Sequence, residues 1–257
     1  MASVTHAGTT WVTAGGNQTV VATPAVGDAI IVIAGTSGLA GGTISMGDNQ
    51  AVAATYTQID VDYTGFSTTG VLTAWVRNRL ITAAASTTWT ATQTGSSGGG
   101  LSVLRISGIS IVGLGSIRGC GGQSTGTAGT TPAPVLLGRV GTTFSGTQAA
   151  LTGNVVISAV ANGATAASMT VRSSPAYAED FDNGYSTPGT GLCVSHINSG
   201  ETASTITWGS TSATAFASIA FELDASVPQY DYVVANRRAD SDKLATQIAS
   251  VVRSNTR

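Results

Sequence analysis

Charge is what this sequence has least of. Asp, Glu, Lys and Arg make up 9% of its 257 residues, against about 25% in an ordinary soluble domain. Lys243 is the only lysine, and Arg77, Arg79, Arg105, Arg118, Arg139 and Arg172 are scattered. Neutralising a phosphate backbone needs a clustered positive surface, so nucleic acid is excluded as a partner, and so are anionic membranes. Two cysteines, Cys120 and Cys193, cannot make a disulfide framework, and with only two histidines the Cys/His type of metal site is excluded by number. The longest apolar run, 29–34, is far too short to cross a bilayer. The first residues lack a basic region followed by an apolar segment, so a Sec-type signal peptide is not expected and synthesis in the cytoplasm is.

Low charge alone would fit disorder, but 42% of the residues are hydrophobic and their β-branched runs are well spaced, which disordered chains lack. The runs also repeat. Gly27-Asp28-Ala29-Ile30-Ile31-Val32-Ile33-Ala34 is echoed by Gly153-Asn154-Val155-Val156-Ile157-Ser158-Ala159-Val160. Gly70-Val71-Leu72-Thr73-Ala74-Trp75-Val76 is echoed by Gly191-Leu192-Cys193-Val194-Ser195-His196-Ile197. Trp89 and Trp208 sit in a third Thr-rich pair, and 102–107 is matched by 217–222. Four anchors in one order, about 120 residues apart, predict a duplicated all-β body, with pseudo-repeats near 15–110 and 150–224.

Strands are expected near 8–13, 18–23, 28–35, 42–47, 54–63, 70–77, 87–93 and 101–107, then near 154–161, 168–173, 191–197, 204–208 and 215–223. Residues 29–34 are apolar throughout, which predicts a strand covered on both faces. Residues 108–150, with five glycines in 119–129 and Pro132 and Pro134 after them, read as a crossover loop carrying one strand near 135–140. The turn formers Pro175, Asn183-Gly184 and Pro188 make 174–189 the longest non-strand stretch of the second half.

After Asp224 the character changes. Residues 227–239 read as an extended arm with Tyr230 and Tyr232. Ser241 can cap a helix over 241–254 whose apolar face is Leu244, Ile248, Val251 and Val252. So short a helix is marginal alone and must dock, which makes these six residues the partner-binding candidates. The division is a β domain over 1–224 and an arm with helix over 225–257.

Catalytic signals are sparse. His6 lies in a start expected to be mobile. Ser195 and His196 are neighbours in a strand, point to opposite faces and cannot act as nucleophile and base together. Asp60 and Asp62 alternate with Ile59 and Val61, as on a half-exposed strand rather than in a glycosidase pair. Glu179-Asp180-Phe181-Asp182-Asn183-Gly184 is the densest acidic cluster; Asp180 and Asp182 are weak calcium candidates, and a solvated turn with Asn183-Gly184 at its tip is the default. Gly98-Gly99-Gly100 lacks the Lys-Ser/Thr of a phosphate loop. Trp11, Tyr177 and Tyr185 are weak candidates for stacking on a glycan. No cofactor and no catalytic residue is expected.

The Gly-Asp opener before an apolar strand, the hairpin ending in Trp89-Thr90-Ala91-Thr92, and Ser102-Val103-Leu104-Arg105-Ile106-Ser107-Gly108-Ile109 together resemble a group of Gly/Thr/Ala-rich β-sandwich virion proteins of tailed bacteriophages, minor tail proteins among them. The resemblance covers about 15–224 and has no invariant motif. It implies a jelly-roll-like sandwich and a non-enzymatic structural place in a virion, as a homo-oligomer in contact with other virion proteins. A minor tail or tail-tip subunit is the first expectation. A capsid decoration protein is the alternative within that class, and a carbohydrate-binding module reading a host envelope glycan is the alternative outside it.

Overall fold

A computed structural model of the chain describes residues 2–13, 15–38, 43–66, 70–95, 97–108, 113–125, 131–163, 169–186, 189–209 and 215–224. The fold is all-β and antiparallel. In chain order the strands are β1 Ser3–Val12, β2 Gln18–Ala22, β3 Ala29–Ser37, β4 Ile44–Asp48, β5 Tyr56–Gln58, β6 Tyr63–Thr64, β7 Val71–Arg77 and β8 Thr87–Gln93. They continue as β9 Gly98–Ser107, β10 Ile117–Thr125, β11 Leu137–Val140, β12 Thr143–Thr147, β13 Val155–Asn162, β14 Ala178–Ser186, β15 Gly189–Ile197 and β16 Phe216–Leu223. The arm and the helix expected over 241–254 lie outside the described residues, as do Tyr230, Tyr232, Leu244, Ile248, Val251 and Val252.

Three sheets form. The first runs β1-β9-β3-β7-β5, with β6 also on β7; the second runs β12-β11-β10-β16-β13-β15-β14; a small third runs β2-β8-β4. Strand alternation decides which side chains each sheet presents. In β3, Ala29, Ile31 and Ile33 enter the largest core cluster with Val155, Ile157, Ala159, Leu192, Val194 and Phe221 from the second sheet. The two large sheets therefore pack face to face.

The alternate residues of β3, Ile30, Val32 and Ala34, join Val20, Trp89 and Ala91 of the small sheet in a second cluster. This strand is buried at every position, as its unbroken apolar run requires. β13 repeats the arrangement. Its Val156 and Val160 face outward into clusters closed by Leu136 and Ile206 and by Trp208 and Met169. The covering layer there is not a regular sheet but backbone bonds between 132–136 and 204–208, with the Trp208 N–H donating to the Pro132 carbonyl at 3.0 Å.

The stretch expected as a crossover loop is instead largely strand: β10, β11 and β12 all fall within 108–150. The glycines that suggested flexibility are there for close approach. A Cβ on Gly121 would lie 2.1 Å from the Val135 carbonyl oxygen, and one on Gly122 would lie 2.3 Å from the Tyr63 ring. Likewise 178–186 is strand, not turn, and Asn183-Gly184 lies within it, opposite Leu192 and Gly191. His6 sits in β1 opposite Leu104, so the strand begins well before residue 8. The single strand expected over 54–63 divides into β5 and β6 at Asp60, whose φ of 62° is left-handed, a conformation that Asp tolerates better than most residues.

The glycine reading yields a paired test. Gly122→Ala should cost about 1–3 kcal/mol through overpacking. Gly47→Ala in β4, where a Cβ meets nothing within 4 Å, should be near neutral. Denaturant midpoints of the two variants check this.

Candidate functional site

The second sheet ends in β14, which carries Glu179, Asp180 and Asp182 beside the Cys193 and His196 of β15. A β-bulge sets their geometry. The register shifts between Glu179 and Phe181, so Glu179 stands opposite Ser195, Phe181 opposite Val194 and Asp182 opposite Cys193. Asp180 is the extra residue. The bulge lets Glu179 and Asp182, three apart in sequence, share a face, and parts Asp182 from Asp180.

On one face, Asp180 Oδ2 lies 2.7 Å from His196 Nδ1, with both side chains under one-tenth exposed. On the other, ligand atoms of Glu179, Asp182 and Cys193 lie within 4.8 Å of one another. Asp182 accepts the Met169 N–H at 3.0 Å. Burial pushes its carboxyl upward, against that bond, and Glu179 adds to the rise.

The chemistry of this group is subdued. Burial, and then the charges of Asp182, Glu179 and Asp180, push the Cys193 thiol far up. A thiol so held stays protonated and is a poor nucleophile and metal ligand. Cys120 is likewise buried and its thiol raised, and both cysteines are free. Hard cations take six to eight oxygens, whereas Asp180 and Asp182, the two calcium candidates, are engaged on opposite faces. Ser195 Oγ reaches the Ser158 carbonyl at 3.5 Å, away from the face where His196 meets Asp180, so no nucleophile–base pair forms between them.

The other candidates are similarly occupied. Asp60 accepts the Tyr63 hydroxyl and Asp62 accepts Gln58 Nε2 at 2.7 Å. Trp11 packs on the main core cluster over Gly100, where a Cβ would lie 2.7 Å from its ring. Tyr177 is 6% exposed, and its hydroxyl donates to Glu201 Oε2 at 3.1 Å. Burial first, then Glu201, raises its pKa. Its ring offers no open face to a sugar. Tyr185 lies in β14 opposite Thr190, and its side chain falls outside the described residues.

What sequence reasoning missed is a set of ion pairs whose carboxylates are buried. Arg77 Nε meets Asp48 Oδ2 at 2.7 Å with both side chains at most 1% exposed, and the guanidinium also donates to the carbonyls of Arg79 and Leu80. Tyr56 donates to the same carboxylate at 2.7 Å. Arg105 meets Asp28, which also accepts the Ala25 N–H. Glu222 accepts from Arg118, from the Leu151 N–H and from Asn154 Nδ2. Arg172 meets Glu201 at 3.0 Å. The available signal was a lone charge set in an apolar strand, as with Arg105 after Leu104 and Glu222 after Phe221.

No protein-family model matches the chain, and comparison with curated proteins and with solved structures finds no match.

The most enclosed pair makes a pH prediction. Burial pushes the Asp48 carboxyl up, but hydrogen bonds from Arg77, Tyr56 and the Gln50 N–H outweigh it and hold its pKa below the ordinary value. A pKa lower in the folded than in the unfolded chain means the pair stabilises fully above the ordinary carboxylate range. That contribution is lost as pH falls through the folded value. Asp48→Asn leaves a buried guanidinium unpaired, which should cost about 3–5 kcal/mol at pH 7. The gap between wild type and variant should narrow below about pH 4, as read from denaturant unfolding at each pH.

Proposed function

We propose that this protein is a non-enzymatic structural subunit of a tailed-phage virion, most consistent with a minor tail or tail-tip position. In this reading the body is a jelly-roll-like sandwich of two similar halves, and the arm and helix over 225–257 grip an adjacent subunit. Supporting the two-halves reading is the order of the strands. β1-β9-β3-β7-β5 in one sheet corresponds, element for element and in chain sequence, to β10-β16-β13-β15-β14 in the other. Matched through their pairing, Ile31 opposite Leu104 and Val76 corresponds to Ile157 opposite Phe221 and His196. On the same register Asp28 and Arg105 correspond to Asn154 and Glu222, and each couple is joined by a side-chain hydrogen bond.

The observation that carries the functional reading is where the ionic groups are spent. In a chain with so few charges, Arg77, Arg105, Arg118, Arg172 and His196 each face a carboxylate inside or at the margin of the body. These contacts tie strands and loops together rather than gathering titratable groups around a substrate. Few charges remain for the surface, and depletion of charged residues marks the core of protein interfaces. Such a surface suits permanent assembly.

Quantitative mass spectrometry of purified particles from the phage that encodes this chain tests the placement. Copies in threes or sixes per particle are expected. Hundreds per particle would move the protein to the head as a decoration subunit, and its absence from particles would contradict the reading.

A further inference from the structure

Natural sheets blunt their edges with short strands, charge, proline or bulges. Among the described residues the edges obey that rule with one exception. β5 is three residues long, β2, β4 and β12 are five each, and β14, at nine, carries Glu179, Asp180 and Asp182. β1 is ten residues long, with no Asp, Glu, Lys, Arg or Pro. Among the described residues its protective devices are the bulge between His6 and Gly8 and, at its start, the Asn198 side chain that accepts the Val4 N–H. β10, which holds the matching place in the other sheet, has its outer edge extended by β11 and β12. Among the described residues the sheet order stops at β1.

We propose that the outer edge of β1 receives the segment 230–234 of a second copy of this chain as an added antiparallel strand. This rests on the arm reading above and names the surface the arm grips. Tyr230-Asp231-Tyr232-Val233-Val234 has the aromatic and β-branched content that suits a pleated edge, and strand addition draws its affinity from main-chain bonds.

Geometry selects a second copy over the chain's own β1. The described chain ends at Asp224, whose N–H donates to the Ser116 carbonyl beside the start of β10. Leu223 pairs with Val155, Val156 pairs with Ile197, and the next residue, Asn198, accepts the Val4 N–H at 2.8 Å. Asp224 therefore leaves the body at the end where β1 begins. Crossing two strand spacings and one sheet gap is about 14 Å, and residues 225–229 can reach about 17 Å. The segment would thus enter its own β1 edge at the Val4 end and run parallel to it. Antiparallel entry must start about five residues, or about 17 Å, further along β1, which together with the crossing exceeds that reach. Every pairing among the described strands is antiparallel, and sheets of one sense are favoured. A second copy can supply that sense.

The test compares the full chain with the full-length double variant Tyr232→Pro/Val234→Pro, which removes two main-chain donors without touching the body. Oligomer size is measured by light scattering and amide exchange by mass spectrometry over β1, at high and low protein concentration. The expected result is association of the wild type with at least tenfold slower exchange in β1, both lost on dilution and in the variant. Association lost in the variant with β1 exchange unchanged would overturn β1 as the receiving edge and leave the arm reading standing. Slow β1 exchange lost in the variant while the wild type is monomeric throughout would overturn the second copy in favour of the chain's own edge. Equal association and equal β1 exchange in the two proteins would overturn this proposal, and a wild type that neither associates nor protects β1 would overturn the arm reading as well.

Discussion

The structure depends on the apolar seam where β3 and its neighbours meet β13 and its neighbours. Ile31, Ile33, Leu72 and Leu104 from one sheet and Ile157, Val194, Ile219 and Phe221 from the other are fully or almost fully removed from water. Burying one such side chain is worth about 1.5–3 kcal/mol, whereas an exposed ion pair gives about 0–1. A chain this poor in charge must therefore be held by its interior. Because alternate residues of β3 and β13 face opposite ways, closing the seam leaves a second apolar face on each strand. The small sheet with Trp89 covers one, and the segments around Leu136, Ile206 and Trp208 cover the other.

The buried polar groups follow from that architecture. A strand covered on both faces has no outlet to water, so a charge within it must find a partner at its margin. Arg77 with Asp48, and Glu222 with Arg118 and Asn154, meet that requirement. Paired in this way, these side chains are committed to one another and to backbone groups of neighbouring segments. The Glu179, Asp182 and Cys193 group differs, with its thiol held protonated beside carboxylates.

Much of the fold was legible in the sequence, for reasons that can be named. The unbroken run 29–34 required two covers, and β3 has them. A strand is expected near 87–93, and β8 forms there with Trp89 buried. Illegible were the strands whose residues also serve as turn formers. Gly119, Gly121 and Gly122 look like a linker until Val135 and Tyr63 are seen against them. Asn183-Gly184 looks like a hairpin tip until β15 is laid alongside. The echo of 70–76 in 191–197 sets Val76 beside Ile197, whereas it is Val76 that pairs with Ile31 and His196 that pairs with Ile157. A one-residue slip exchanges the faces of a strand, and identity of residues alone cannot detect it. Of the candidate site, the acidic run Glu179-Asp180-Phe181-Asp182 is plain in the sequence, but the partition of Asp180 from Asp182 rests on a bulge that no local signal marks.

If one interior holds both sheets, neither can open without the other. Native-state amide hydrogen exchange measures this most directly, since it yields an opening free energy strand by strand. The slowest amides of β3 and of β13 should open with the same free energy, within about 1 kcal/mol, and should fall together on adding denaturant. Opening of the β13 group several kcal/mol below that of β3 would show two separately folded bodies and contradict the account.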